Sequence, residues 1–102
     1  MRSIPRKRIR EFFEQPGRAR FKNPLLAWAR VVESRQTDWT CFADVRETFP
    51  HADQVGRCVV FNIAGNHVRL IADVNYSHHR VDVTHVMTRP EYDRGRWRTD
   101  CV

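Results

Sequence analysis

Residues 58–93 read CVVFNIAGNHVRLIADVNYSHHRVDVTHVMTRPEYD, three strand-like runs followed by a short polar coda. The middle run alternates strictly. Val68, Leu70, Ala72 and Val74 fall on one side, and His67, Arg69, Ile71 and Asp73 on the other. A period of two over that length predicts a half-buried strand, with one face on a core and the other toward solvent or ligand. Arg69 lies inside the strand on that second face, where a basic, RNA-facing site is expected. Strands are read at about 58–63, 67–75 and 80–87, joined by Ala64-Gly65-Asn66 and Ser77-His78-His79. Connectors this short make antiparallel hairpins.

Upstream the period changes. From Pro5 to about Gln15, Ile9, Phe12 and Phe13 recur at helical spacing, and Pro16-Gly17 breaks the pattern. A second helix begins between Gly17 and Asn23 and runs to about Ser34, with Leu25, Trp28, Ala29 and Val32 as its apolar stripe. A third, short helix is expected near Phe42–Thr48, with Thr40 or Cys41 as its cap and residues 50–56 as a loop. Residues 2–4 read as a short edge strand, and residues 90–97 as one helical turn. Helices followed by a meander give an α+β, two-layer fold over a single domain, 1–102: an N-terminal helical hairpin and a short third helix packed on a small antiparallel sheet.

Eighteen Lys and Arg against twelve Asp and Glu give a net charge of +6 and a pI near 10.0. Sixteen of the eighteen cations are Arg, whose planar fork pairs with phosphates and stacks on bases, so a polyanionic partner is expected. No run approaches the roughly 18 apolar residues of a membrane helix. The charged opening MRSIPRKRIREFF has no apolar core behind it, so it does not read as a signal peptide. Three cysteines, Cys41, Cys58 and Cys101, without an export signal predict free thiols in a cytoplasmic protein.

No metal set, phosphate-binding glycine loop or nucleophile elbow is visible, and no cofactor is expected. His78-His79 read as a solvated turn. Cutting RNA without a metal requires a base for the 2′-hydroxyl proton, an acid for the leaving oxygen, and cations for the charge building on phosphorus. Arg69 and Arg89 are candidate cations. His67, His85 or Tyr92 could handle protons or stack on a base. His85 shares strand parity with Val81, Val83 and Met87, which directs it toward the core and leaves His67 as the better exposed candidate.

Several segments also carry a resemblance: the opening Ser3-Ile4-Pro5-Arg6-Lys7-Arg8-Ile9-Arg10-Glu11-Phe12, Pro24-Leu25-Leu26-Ala27-Trp28, Trp39, Asp44-Val45-Arg46-Glu47-Thr48-Phe49-Pro50, Val60-Phe61-Asn62-Ile63-Ala64-Gly65-Asn66, Arg69-Leu70-Ile71, and Thr88-Arg89-Pro90-Glu91-Tyr92-Asp93. In this order the chain resembles the HigB-type toxins of bacterial toxin–antitoxin modules, a branch of the RelE superfamily. The resemblance implies a small toxin that enters the 70S ribosome and cleaves mRNA during translation, neutralised by a HigA-type helix-turn-helix antitoxin. It implies Arg69 as the strand arginine and Tyr92 as the C-terminal tyrosine, with Arg89 and His67 completing the expected catalytic set. Arg57, Asn66, Arg94 and Arg96 are the expected RNA-binding positions. Glu91 and Asp93 are expected to serve local structure, as a cap or a salt bridge.

Two positions depart from the family pattern. Arg89 stands where the family has His, and Thr84 where many members have Arg. An arginine stays protonated and cannot be a general base. Proton transfer then falls to His67, Tyr92 or the ribosome, while Arg89 can supply the cation missing at Thr84. Related folds also include toxins that only bind a protein target such as gyrase, and a catalytically weakened RNA-binding domain is a further alternative.

Overall fold

The computed structural model describes Met1 and residues 5–102, so the edge strand read at residues 2–4 lies outside the described residues. Helices α1 (Lys7–Phe13), α2 (Lys22–Glu33) and α3 (Phe42–Thr48) precede an antiparallel meander. Its strands are β1 (Asp53–Val55), β2 (Cys58–Ile63), β3 (Val68–Asn75) and β4 (Arg80–Thr88), in spatial order β1-β2-β3-β4. A short helix α4 (Arg89–Asp93) and a 3-10 segment (Arg96–Cys101) end the chain. No helix is long and apolar enough to cross a membrane among the described residues.

The α+β class holds, and Val68, Leu70, Ala72 and Val74 do face a core shared with Ile9, Phe12, Leu25, Trp28 and Val32 of the helices. Phe61 is the centre of its aromatic part. Trp28 meets it edge-on at 5.1 Å, Phe49 at 5.3 Å, and Trp39 stacks on it at 6.2 Å. Removing such a ring from a packed core costs about 3–5 kcal/mol. Cys41 is the N-cap residue of α3, one of the two expected. It makes no side-chain cap bond, and Asp44 accepts from the Thr40 amide and hydroxyl, each at 2.8 Å.

Four expectations are corrected. Residues 53–55 are a strand, not part of a loop: Asp53 pairs with Val60 and Val55 with Cys58. Three residues are too few to display a period. The second face of the sheet is also covered. Trp97 and Cys101 pack on Cys58, Val60, Ile71 and Met87, so Ile71 is fully buried where an open face was expected. The cysteines differ as well: Cys58 and Cys101 form a disulfide, and Cys41 alone is a free thiol.

The fourth correction concerns β4. A bulge shifts its register against Ile71 and Ala72, so that Ala72 pairs with Val83 and Ile71 with His85. Val81 and Val83 belong to the helix-side core, while His85 and Met87 emerge on the opposite face. The extra residue, Thr84, donates its hydroxyl to the Ile71 carbonyl at 3.1 Å. Parity along a strand fails wherever a bulge intervenes, and His85 is therefore not a core residue.

The C-terminal segment is fixed at several points. Arg57 donates its backbone N–H to the Cys101 carbonyl at 2.9 Å and its guanidinium to the Asp100 carbonyl at 3.0 and 3.3 Å. Gly56 has φ +56°, and a Cβ there would lie 2.0 Å from the Cys101 oxygen, so only glycine permits this approach. Helix α4 is set by a capping box: the Glu91 amide donates to the Thr88 hydroxyl, and the Glu91 carboxylate accepts from the Thr88 amide. Arg18 reaches the same carboxylate at 3.0 Å while lying over the Phe12 ring at 4.6 Å.

Two stability tests follow from these ties. With the cross-linked positions 43 apart in sequence, the chain-entropy argument gives about 3–4 kcal/mol for the disulfide. Cys101→Ser should lower the urea midpoint accordingly, and a reductant should bring wild type to the same value without affecting the variant. Burial alone pushes the Glu91 carboxyl up. The Thr88 hydrogen bonds, with Arg18 and Arg94, outweigh it and hold the group below its ordinary value of 4.5. A carboxyl depressed in the folded state stabilises above its unfolded pKa and loses that contribution as pH falls through the folded one. Glu91→Gln should lower Tm at pH 7, and the difference should shrink as pH drops below 4.5.

Candidate functional site

The second residue of β3, Arg69, lies on the sheet face opposite the helices and is 8% exposed. One of its terminal nitrogens donates to the carbonyls of Asn66 (3.0 Å) and Val68 (3.4 Å), and the other to the Asn66 side-chain oxygen. Arg69 thus buttresses the β2–β3 turn, where Ala64, Gly65 and Asn66 take φ values of +53°, +60° and +92°. Non-glycine residues with positive φ are strained and persist only where their surroundings hold them. The Arg69 bonds all come from the two terminal nitrogens of the guanidinium. Burial, then the charge of Arg89, lowers the guanidinium pKa, with Tyr92 and Asp93 opposing. The group still remains a cation.

The capping box of α4 delivers Tyr92 to Arg69. The guanidinium carbon sits 5.3 Å from the phenol ring centroid. On the α4 side Tyr92 stacks on Trp97 at 4.8 Å and 15°, and the Trp97 indole N–H donates to the Tyr92 carbonyl at 2.9 Å. Arg98 lies over the same indole at 5.1 Å. Each guanidinium gains from the negative face of the ring it covers.

The other expected residues divide among three places. Asn66, His67 and Arg89 line a groove of about 590 Å³ together with Arg18, Arg20 and Phe21. His67 is in the turn, not on the strand, with its ring 6.4 Å from that of Phe21 and its carbonyl accepting from the Arg89 amide at 3.0 Å. Arg94 and Arg96 line a second cleft of about 470 Å³ with Arg8, Thr84, His85 and Asp100. Arg57 joins neither. It clamps the C-terminal segment at the Cys58 end of β2, whereas Arg69 pairs with Asn62 near the other end. Along the strand that separation is roughly 13 Å.

Sequence reasoning missed Arg18, Arg20, Arg8 and Trp97, and it named His85 only to turn it toward the core. The Pro16-Gly17 break next to Arg18-Ala19-Arg20 was the available signal for the first two. Trp97 stands after a helical turn with no partner visible in the sequence, and the bulge hid His85. Among the described residues, no group of three or more His, Cys, Asp or Glu side chains is placed to hold a metal ion. Asp93 pairs loosely with Arg89 at 3.9 Å, and with Glu91 it serves local structure as expected.

Comparison with known proteins agrees with this architecture. Residues 21–95 match the family model of the HigB toxin, described as the RelE-like toxic component of a toxin-antitoxin system. The chain is also 31% identical over 88 residues to the mRNA interferase HigB of Escherichia coli O6:H1, covering 80% of this chain and 82% of that relative. The chain belongs to the HigB toxin family of RelE-like toxins.

Proposed function

We propose that this toxin is a ribosome-dependent mRNA endoribonuclease, acting in the cytoplasm on translated mRNA and held inactive by a HigA-type helix-turn-helix antitoxin. The name of the Escherichia coli relative supports mRNA as the substrate. The observation that carries the reading furthest is Arg69 seated on the Tyr92 ring, in a chain whose two clefts are each lined by three arginines.

The chemistry asked of this site is attack by the 2′-oxygen of one nucleotide on its own 3′-phosphate. The RNA supplies the nucleophile, so the protein's task is to orient the phosphate, stabilise its extra negative charge and move protons. Arg69 is suited to the charge because its turn contacts and the Tyr92 ring hold it before substrate arrives. Arg18, Arg20 and Arg89 form a track for flanking phosphates along the 590 Å³ groove. Exposed rings such as His67 offer a platform for an unstacked base.

The reading is tested with purified toxin on programmed ribosomes. Tyr92→Phe keeps the ring in its stack and removes only the hydroxyl. It should reduce cleavage about 100-fold if the phenol moves a proton, with an unchanged Tm. Arg89→Ala should weaken RNA engagement and make it less sensitive to salt, since one phosphate contact is lost. Wild-type activity and salt dependence in both folded variants would place the site elsewhere. Intact mRNA with gyrase-dependent DNA damage in expressing cells would show a toxin that acts by binding alone.

A further inference from the structure

The 470 Å³ cleft contains a histidine whose two ring nitrogens both face oxygen acceptors. His85 Nε2 is 3.0 Å from an Asp100 carboxylate oxygen, and Nδ1 is 3.1 Å from the Thr84 hydroxyl. Thr84 has already given its hydrogen to the Ile71 carbonyl, so toward His85 it can only accept. A hydrogen on Nδ1 would complete that contact and one on Nε2 the contact with the carboxylate, so both ring nitrogens are placed to donate.

The remaining charges around it come from three elements: Arg8 and Glu11 of α1, Glu91 and Arg94 at α4, and Arg96 and Asp100 of the terminal segment. Three arginines there face three carboxylates, and the carboxylate against the ring is that of Asp100. Its side chain is 62% exposed and occupies the position in front of Nε2, where an oxygen of an incoming phosphodiester would sit. Across the ladder His85 pairs with Ile71 while Met87 pairs with Arg69. His85 and Arg69 are therefore diagonal neighbours on one face, roughly 7–8 Å apart. A phosphodiester spans a gap of that order between two long side chains.

We propose that His85 is a catalytic residue of this toxin, the general acid that protonates the leaving oxygen. The proposal rests on the endoribonuclease reading above. As the 2′-oxygen attacks phosphorus, its proton passes through the Tyr92 hydroxyl to water and a new P–O bond forms. The P–O5′ bond breaks, its electron pair goes to O5′, and O5′ takes the Nε2 proton as the phosphate displaces Asp100. The products are a 2′,3′-cyclic phosphate and a 5′-hydroxyl, and His85 recovers its proton from solvent. Asp100 and Thr84 are positioning residues, which fix the orientation of the ring until RNA binds.

The test measures single-turnover cleavage on programmed ribosomes across pH, with wild type and His85→Gln. A proton donor gives wild type a rate that falls on the alkaline side. His85→Gln should be about 100-fold slower near neutral pH and lack that limb. A second mRNA carries sulfur in place of the bridging 5′ oxygen at the cut bond. A thiolate leaves without protonation, so on this substrate the variant should recover to within a few fold of wild type. Equal rates on the oxygen substrate, or a variant equally slow on both, would overturn the role of His85. Cleavage of neither substrate by wild type would overturn the endoribonuclease reading itself.

Discussion

The sheet has a second packed face because the C-terminal segment is bonded to it. The Cys58–Cys101 disulfide and the Arg57 contacts hold residues 96–101 across β2 and β3, which seats Trp97 beneath Tyr92 and Asp100 in front of His85. Without that tie Trp97 would be a large apolar ring on a short, frayed terminal turn. With it, the indole joins the small core of Val60, Ile71 and Met87 and becomes the floor under the phenol. The site's rigidity is therefore set at the far end of β2, at a distance from the residues proposed to meet RNA.

Arg69 joins an architectural duty to the chemical one proposed for it. Its guanidinium holds a turn with three successive residues at positive φ, and it faces an aromatic ring. A cation fixed in advance loses little conformational entropy when a phosphate arrives, which is the advantage of preorganisation. The same duty explains why it is nearly buried. An arginine devoted only to RNA would gain nothing from 8% exposure.

Much of the fold was legible because it rests on local periodicity. Phe42–Thr48 and Cys58–Ile63 match their expected limits, and the alternation from Val68 to Val74 identifies the helix-side face. What escaped depends on long-range or uncommon geometry. Strand β1 is too short for a pattern, and nothing in the spacing of Cys58 and Cys101 indicates that the chain brings them together. The pairing of Arg69 with Tyr92 was reachable through the family likeness alone, since no local rule relates a strand residue to a later helix. Arg57, chosen for its charge, is a clamp, because charge alone does not separate a phosphate ligand from a carbonyl ligand.

The bulge at Thr84 divides β4 into two halves with opposite allegiance. Up to Val83 the inward-facing positions belong to the helices, and from His85 onward the same parity belongs to the other side of the sheet. A relative lacking that one residue, if matched to this chain with its gap placed elsewhere in 80–88, would have interior and exterior exchanged along half a strand. Within this family, then, comparison of the last strand is reliable only when the extra residue is located first.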